Sequence, residues 1–198
     1  AYDGKPLTND EVTVGGEGFA KGEGAAYDVT GSQLNVGTSD NTFTYELNAN
    51  TKADNYNIEL VEGKLTVTAD ENEVVVTITE NRGNKKYDGR AHSVSGYKVT
   101  DISNKLYTAD DFKFNGDATV KGTDAGTYDM DVKADDFENV NNNFAKVTFV
   151  IIDGKLTIEK RDVTLTSADA SKVYDGTALT SKKVTVSGEG FAKGEGAT

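Results

Sequence analysis

Apolar and polar residues alternate with a period of two along Phe43 to Leu47, Val74 to Thr79, Tyr128 to Val132, Val147 to Ile152 and Leu156 to Ile158. Side chains of an extended chain project alternately to its two faces, so this period gathers the apolar residues on one face. The residues are mostly β-branched or aromatic, which suits a pleated surface. These five stretches predict strands. No window of helical length carries a sustained 3.6-residue apolar period, and only Thr108 to Phe112 suggests a single helical turn. Strand candidates recur every roughly 8 to 12 residues with Gly, Asn and Asp between them, the rhythm of a sandwich of two antiparallel sheets.

The chain also repeats itself. YDGKPLTNDEVTVGGEGFAKGEGA from Tyr2 returns as YDGTALTSKKVTVSGEGFAKGEGA from Tyr174, 172 residues later, with six differences in 24 positions. A more distant copy, KKYDGRAHSV, places Tyr87, Asp88 and Gly89 near the middle of that period, and the closing words GKLTVT at Gly63 and GKLTIE at Gly154 also correspond. Two module types of roughly 85 residues therefore alternate. The expected division is a module A lacking its first strand at 1–69, a complete module B at 74–160, and the N-terminal part of a second module A at 161–198. VTLTS at Val163 and VVVTIT at Val74 precede their YDG, whereas Tyr2 has no such strand before it. One period with an overlap reads as a window cut from a longer array. The fold expected is all-β, with tandem immunoglobulin-like β-sandwich modules arranged end to end; β-grasp-like modules are the alternative.

The turns carry their own chemistry. In each YDG, at Tyr2, Asp3 and Gly4, at Tyr87, Asp88 and Gly89, and at Tyr174, Asp175 and Gly176, the Asp-Gly pair suits a turn with positive φ, and the Tyr can bury its ring while its hydroxyl finds a partner. DAGTY at Asp124, Gly126 and Tyr128 has the wording of a tyrosine corner, in which the phenol bonds back to a backbone carbonyl. The looser NVGTSDNTFTY at Asn35 holds that place in module A. The YDG openings, AGTY, NYNI at Asn55 and the closing GKLT resemble the MBG and YDG-type tandem repeats of bacterial cell-surface, adhesin-like proteins. The resemblance implies a cell-wall or secreted protein with many such modules, some members of which are suspected of binding mucin or glycan. It carries over no ligand-binding residue.

Charge and composition narrow the partners. With a net charge of -12 the chain lacks the clustered Lys and Arg needed to displace counterions from a nucleic acid, and an anionic membrane would repel it. Zero cysteines remove thiol catalysis, zinc-thiolate sites and disulfide bridges, so sheets and cores must supply stability.

Catalytic, cofactor and metal sites are all expected to be none. The glycine-rich runs Gly16 to Gly24 and Gly188 to Gly196 have the wrong spacing for a phosphate loop, and Glu17 and Glu23 would repel an anion. They read as connecting loops, with Phe19 and Phe191 as anchors if a partner docks there. His92 is the single imidazole and has no triad pattern around it. Acidic and amide clusters at Asp70 to Glu73, Asp110 and Asp111, and Asp135 to Asn143 offer oxygen ligands but no DxDxDG spacing, leaving calcium as the one cofactor in view. Tyr27, Tyr97 and Tyr107 are the rings a glycan would need.

The function expected is a repetitive stalk or spacer that displays an adhesive region outside the cell; the alternative is a weak multivalent module binding host glycan or mucin. Neither is an enzyme. The partners expected are neighbouring modules of the same chain, host glycan or mucin under the second reading, and edge contacts with another copy at the truncated ends. Ala69 to Glu73 is the expected hinge between A and B, and the short join from Ile158 to Val163 the stiffer one.

Overall fold

The computed structural model describes residues 1–198, and its regular structure is all β apart from three single 3-10 turns. In chain order the strands are β1 (Ala25–Val29), β2 (Gly37–Asn41), β3 (Phe43–Leu47), β4 (Gly63–Val67), β5 (Val74–Glu80), β6 (Arg82–Lys86), β7 (His92–Ser95), β8 (Tyr97–Ile102), β9 (Phe112–Phe114), β10 (Thr119–Gly122), β11 (Gly126–Asp129), β12 (Phe137–Asn139), β13 (Val147–Ile152), β14 (Lys155–Glu159), β15 (Val163–Ser167) and β16 (Val184–Gly188). The architecture fits the β-sandwich class. Four of the five alternating stretches are strands over their whole length. The fifth stops early: β11 ends at Asp129, because Asp131 turns to a φ of 26° and the Val132 amide leaves the sheet. The helical turn near Thr108 is a 3-10 turn, Ala109–Asp111, capped from both sides by Thr108 and Asp111.

Contacts group the chain into two compact units. The first comprises Ala1–Val76, Ile102–Lys113 and Glu138–Thr148; the second comprises Thr77–Asp101, Phe114–Phe137 and Phe149–Thr198.

In the first unit, β1 and β3 pair antiparallel with Tyr27 opposite Tyr45, and β2 and β4 pair antiparallel with Ser39 opposite Leu65. Alternation puts Leu65 and Val67 of β4 inside. The densest packing lies elsewhere in this unit, around Phe144 and Tyr107, which are 1% and 2% exposed, with their rings edge to face at 5.2 Å.

In the second unit, β14 lies between β11 and β6. It runs antiparallel to β11, with Leu156 opposite Tyr128, and parallel to β6, with Leu156 opposite Gly83. A Cβ on Gly83 would stand 2.4 Å from Val94 Cγ2, so only glycine lets β7 pack this close. A further sheet has the order β13-β5-β8. Tyr97, Phe114, Phe137 and Phe149 pack in a chain of rings with centroids 4.8 to 5.2 Å apart. Ile78, Leu156 and Ile158 are wholly buried, each contributing about 1.5–3 kcal/mol of apolar burial. β15 and β16 form a two-stranded ribbon in which Leu165 lies opposite Val186, both about half exposed.

One inward position of β5 is polar. Glu80 continues the phase of Val74, Val76 and Ile78, and it is 2% exposed. Its two carboxyl oxygens accept the Val132 amide at 2.9 Å and the Gly154 amide. Gly154 must be glycine for this, since a Cβ there would lie 2.2 Å from the Asn81 carbonyl oxygen. Glu80 thus ties the end of β5 to the segment after β11 and to the β13-β14 turn. Glu80→Ala would orphan two buried amides, and should lower unfolding stability by about 3 kcal/mol. Urea denaturation of the full chain measures this, with Glu80→Gln, which keeps one acceptor, losing less.

Candidate interaction sites at the tyrosine-aspartate-glycine turns

The three YDG turns share one geometry. Asp3, Asp88 and Asp175 each accept, through Oδ1, the amide two residues on, from Lys5, Arg90 and Thr177 at 2.9, 3.0 and 3.0 Å. The glycines between take φ of 77°, 76° and 75°. This is the turn in which an aspartate side chain mimics a backbone carbonyl, and its positive φ favours glycine. The surroundings of the three aspartates differ. The Arg90 amide, with His92 Nε2 at 2.9 Å, holds the Asp88 carboxyl below its usual range. Lys172 at 2.6 Å, together with the amide and hydroxyl of Thr177, lowers Asp175 to about 2.

The tyrosines differ in what they meet. In the first unit the Tyr2 ring stands edge-on to Phe144 at 5.5 Å, its amide donates to the Thr68 carbonyl at 2.8 Å, and Gly4 lies against Leu106. In the second unit the Tyr87 hydroxyl donates to the Glu195 carboxylate, which pushes its pKa up, and Gly89 lies beside Ala192. Tyr174 is 92% exposed. The turn is therefore a local product of its sequence and forms with or without a neighbour.

Both joins of the expected modules are reinforced around these tyrosines. In the first unit Asn143 bridges: its Oδ1 accepts the Val36 amide at 2.8 Å and its Nδ2 donates to Asn35 Oδ1 at 3.0 Å. Asp70 exchanges backbone bonds with the same segment, donating to the Asn143 carbonyl at 2.8 Å and accepting from Ala145 at 2.9 Å. The stretch Ala69 to Glu73, expected to be a hinge, is thus pinned, because its acidic composition says nothing of its backbone pairing. In the second unit the Arg161 guanidinium donates to the carbonyls of Gly190 and Glu189 at 2.7 and 2.6 Å, and Lys86 sits 3.3 Å from both Asp162 and Glu189. The Asp162 amide, followed by Lys86, lowers the Glu189 pKa.

Tyr128 donates its hydroxyl to the Asp124 carbonyl at 2.9 Å, and its ring lies over Gly122, where a Cβ would come within 2.4 Å. Gly126 opens β11 beside the same ring. The other candidates are placed differently. Tyr107 is buried, its hydroxyl between the Asp111 carbonyl at 3.1 Å and Asn139 Oδ1 at 3.0 Å; Tyr97 packs within the ring cluster; Tyr27 stays 37% exposed. Asp70, Asp111 and Asp136 turn carboxyl oxygens onto the amides of Asn72, Thr108 and Lys133. No group of three or more His, Asp or Glu side chains converges as a metal site would require. In the repeated GEGFAKGEG loop, Ala192 and Glu195 lie against the Tyr87 turn, and Phe19 stands edge-on to Tyr56 at 5.1 Å. Asn143 and Glu195 were missed as contact residues; the amide run Asn141 to Asn143 was the available signal for the first.

Residues 74–160 match the family model of the MBG domain, and the resemblance carried by the YDG, AGTY and GKLT words is realised there. The MBG domain is a structural, repeat-type domain of surface and adhesin-like proteins and not a known enzyme family. No curated protein and no solved structure matches the chain significantly. No helix is long and apolar enough to cross a membrane.

Burial, and then the neighbouring Asp111 carboxylate, push the Tyr107 phenol up to about 12. The folded chain holds this proton more tightly than the unfolded chain, so the stabilisation is complete below pH 10, the ordinary value, and is lost as pH rises through about 12. In an alkaline titration of tyrosinate absorbance, Tyr107→Phe should remove a late-titrating step and leave the earlier ones in place.

Proposed function

We propose that this chain is a spacer segment of a bacterial surface protein, lying outside the cell, in which A and B modules follow one another end to end and hold an adhesive region away from the wall. The observation that carries the reading is the repeated use of the YDG turn: at Tyr2 and again at Tyr87, the turn that opens one module touches residues of the next. A surface built into both kinds of join is what an array needs if each module is to stiffen its neighbour. Strand polarity supports the same reading. β6 follows the opening strand and β14 closes the module, and the two run parallel, so the chain leaves in the direction in which it entered. The joins are short and hydrogen-bonded, with no Gly or Pro run, and such connections restrict bending. In this reading the segment acts mechanically and has no catalytic role.

Proteins carrying one, two and three copies of the 172-residue period test it. X-ray scattering should give a maximum dimension that grows by a constant step per period, and a glycan array probed with the intact chain should stay blank. A dimension that levels off, or a saturable glycan signal, would overturn the spacer reading.

A further inference from the structure

Asparagine is followed by glycine once in this chain, at Asn115 and Gly116, in the turn that leads from β9 to β10. Asn115, Gly116 and Asp117 are exposed, and the turn is fastened at both ends. The Asn115 amide donates to the Asp136 carbonyl at 2.8 Å, and the Ala118 carbonyl accepts the Gly96 amide at 2.7 Å. Between these bonds glycine is required. A Cβ on Gly116 would stand 2.8 Å from Asp136 Cγ and 2.9 Å from Phe114 Cε2. Both neighbours are held in place: the Asp136 carboxylate accepts the Lys133 amide at 2.8 Å, and the Phe114 ring packs on Tyr97 and Phe137. The packing therefore sets, next to the Asn115 carboxamide, a backbone nitrogen that no side chain of its own residue shields.

Four Asp-Gly pairs, at Asp3, Asp88, Asp153 and Asp175, offer the same spacing of nitrogen and carboxyl carbon. Ring closure there has to expel an oxygen, and a carboxyl group lets one go only when it is protonated. The turns keep it ionised. Asp3, Asp88 and Asp175 each accept a backbone amide, and the last two are held below the usual carboxylate range, Asp88 first by the Arg90 amide and Asp175 first by Lys172. At Asp153 the nucleophile itself is engaged, since the Gly154 amide donates to the buried Glu80 carboxylate. A carboxamide is different, because it loses ammonia in neutral water without being protonated beforehand.

We propose that Asn115 is a site of self-modification, converted in the folded chain to isoaspartate by attack of the Gly116 amide. The Gly116 nitrogen gives its proton to solvent and bonds to Asn115 Cγ; the Cγ–Nδ2 bond breaks, and Nδ2 takes up a proton and leaves as ammonia. One water then opens the succinimide ring. Opening at the main-chain carbonyl leaves the backbone running through the former side chain, one methylene longer, with a carboxylate on Cα; opening at Cγ gives ordinary aspartate. Either product adds a negative charge where the Asp136 carboxylate already lies against Gly116 and Asp117 follows. Isoaspartate does more, because its extra atom has to be taken up between two fixed points, the bond from Asn115 to Asp136 and the bond from Gly96 to Ala118. The first of these leads Phe114 into the ring cluster, so the modified turn loosens the packing beside it.

Ageing the full chain in mildly alkaline buffer, without denaturant, tests this. Cleavage after lysine gives a peptide spanning Phe114 to Lys121, in which isoaspartate is read by methyl labelling with an isoaspartyl methyltransferase. That peptide should gain label at least about tenfold faster than any peptide carrying an Asp-Gly pair. Asn115→Gln, whose longer side chain closes a ring far more slowly, should abolish the label there. The isoaspartate form, resolved by anion exchange on its added charge, should unfold at a lower urea concentration than both the fresh chain and Asn115→Asp, which carries the charge without the methylene. Equal labelling of the Asp-Gly peptides, label that survives Asn115→Gln, or an isoaspartate form as stable as Asn115→Asp would overturn the proposal.

Discussion

An aspartate oxygen that accepts the amide two residues downstream, followed by a glycine near φ 76°, is the constraint on which the joins of this chain depend. Asp3, Asp88 and Asp175 form the same turn to within 0.1 Å and a few degrees, although one tyrosine meets an aromatic ring, one a carboxylate and one only solvent. The bond is local and the glycine takes the positive φ without strain, so the turn forms from sequence alone. What it offers a partner is therefore pre-organised, and little conformational entropy remains to be lost when a neighbour docks. The tyrosine supplies what the turn cannot, a large apolar body with a polar tip.

The two joins use the same knob on different chemistry. The first is uncharged: Tyr2 packs on Phe144, Gly4 lies against Leu106, and Asn143 bridges to Asn35 in the same unit. Tyr87 meets charge: Glu195, with Arg161, Lys86, Asp162 and Glu189 around the connecting residues. Salt should weaken the second and leave the first largely untouched, because exposed charges are screened over a Debye length of about 10 Å at 0.1 M while aromatic packing is not.

How far all this could be read from the sequence follows from how far each interaction reaches along the chain. The alternating strands, the Asp-Gly turns and the bond from Tyr128 to Asp124 are written in residues that stand close together, and their wording is visible in one pass. Asn143 pairs with Asn35 and Val36, more than a hundred residues away; the amide run Asn141 to Asn143 marks it as polar, but nothing local names its partners. Glu80 is the instructive case. Its position in phase with Val74, Val76 and Ile78 put a carboxyl on an inward face, yet its partners, Val132 and Gly154, lie 52 and 74 residues on. The same long-range bond explains why the strand at Tyr128 stops at Asp129 although burial goes on alternating through Met130 and Val132, since the Val132 amide turns away from the sheet to reach Glu80. Ala69 to Glu73 misled for a related reason: charge marks exposure of side chains, whereas Asp70 is held through its backbone.

The central claim is that the YDG tyrosine couples energetically to the residues it touches across a join. A double-mutant cycle on Tyr2 and Phe144 measures it most directly, comparing urea unfolding of Tyr2→Leu, Phe144→Leu and the pair in the full chain. The account requires a coupling of about 1 kcal/mol, the usual worth of an edge-to-face pair. Strict additivity of the two substitutions would contradict it.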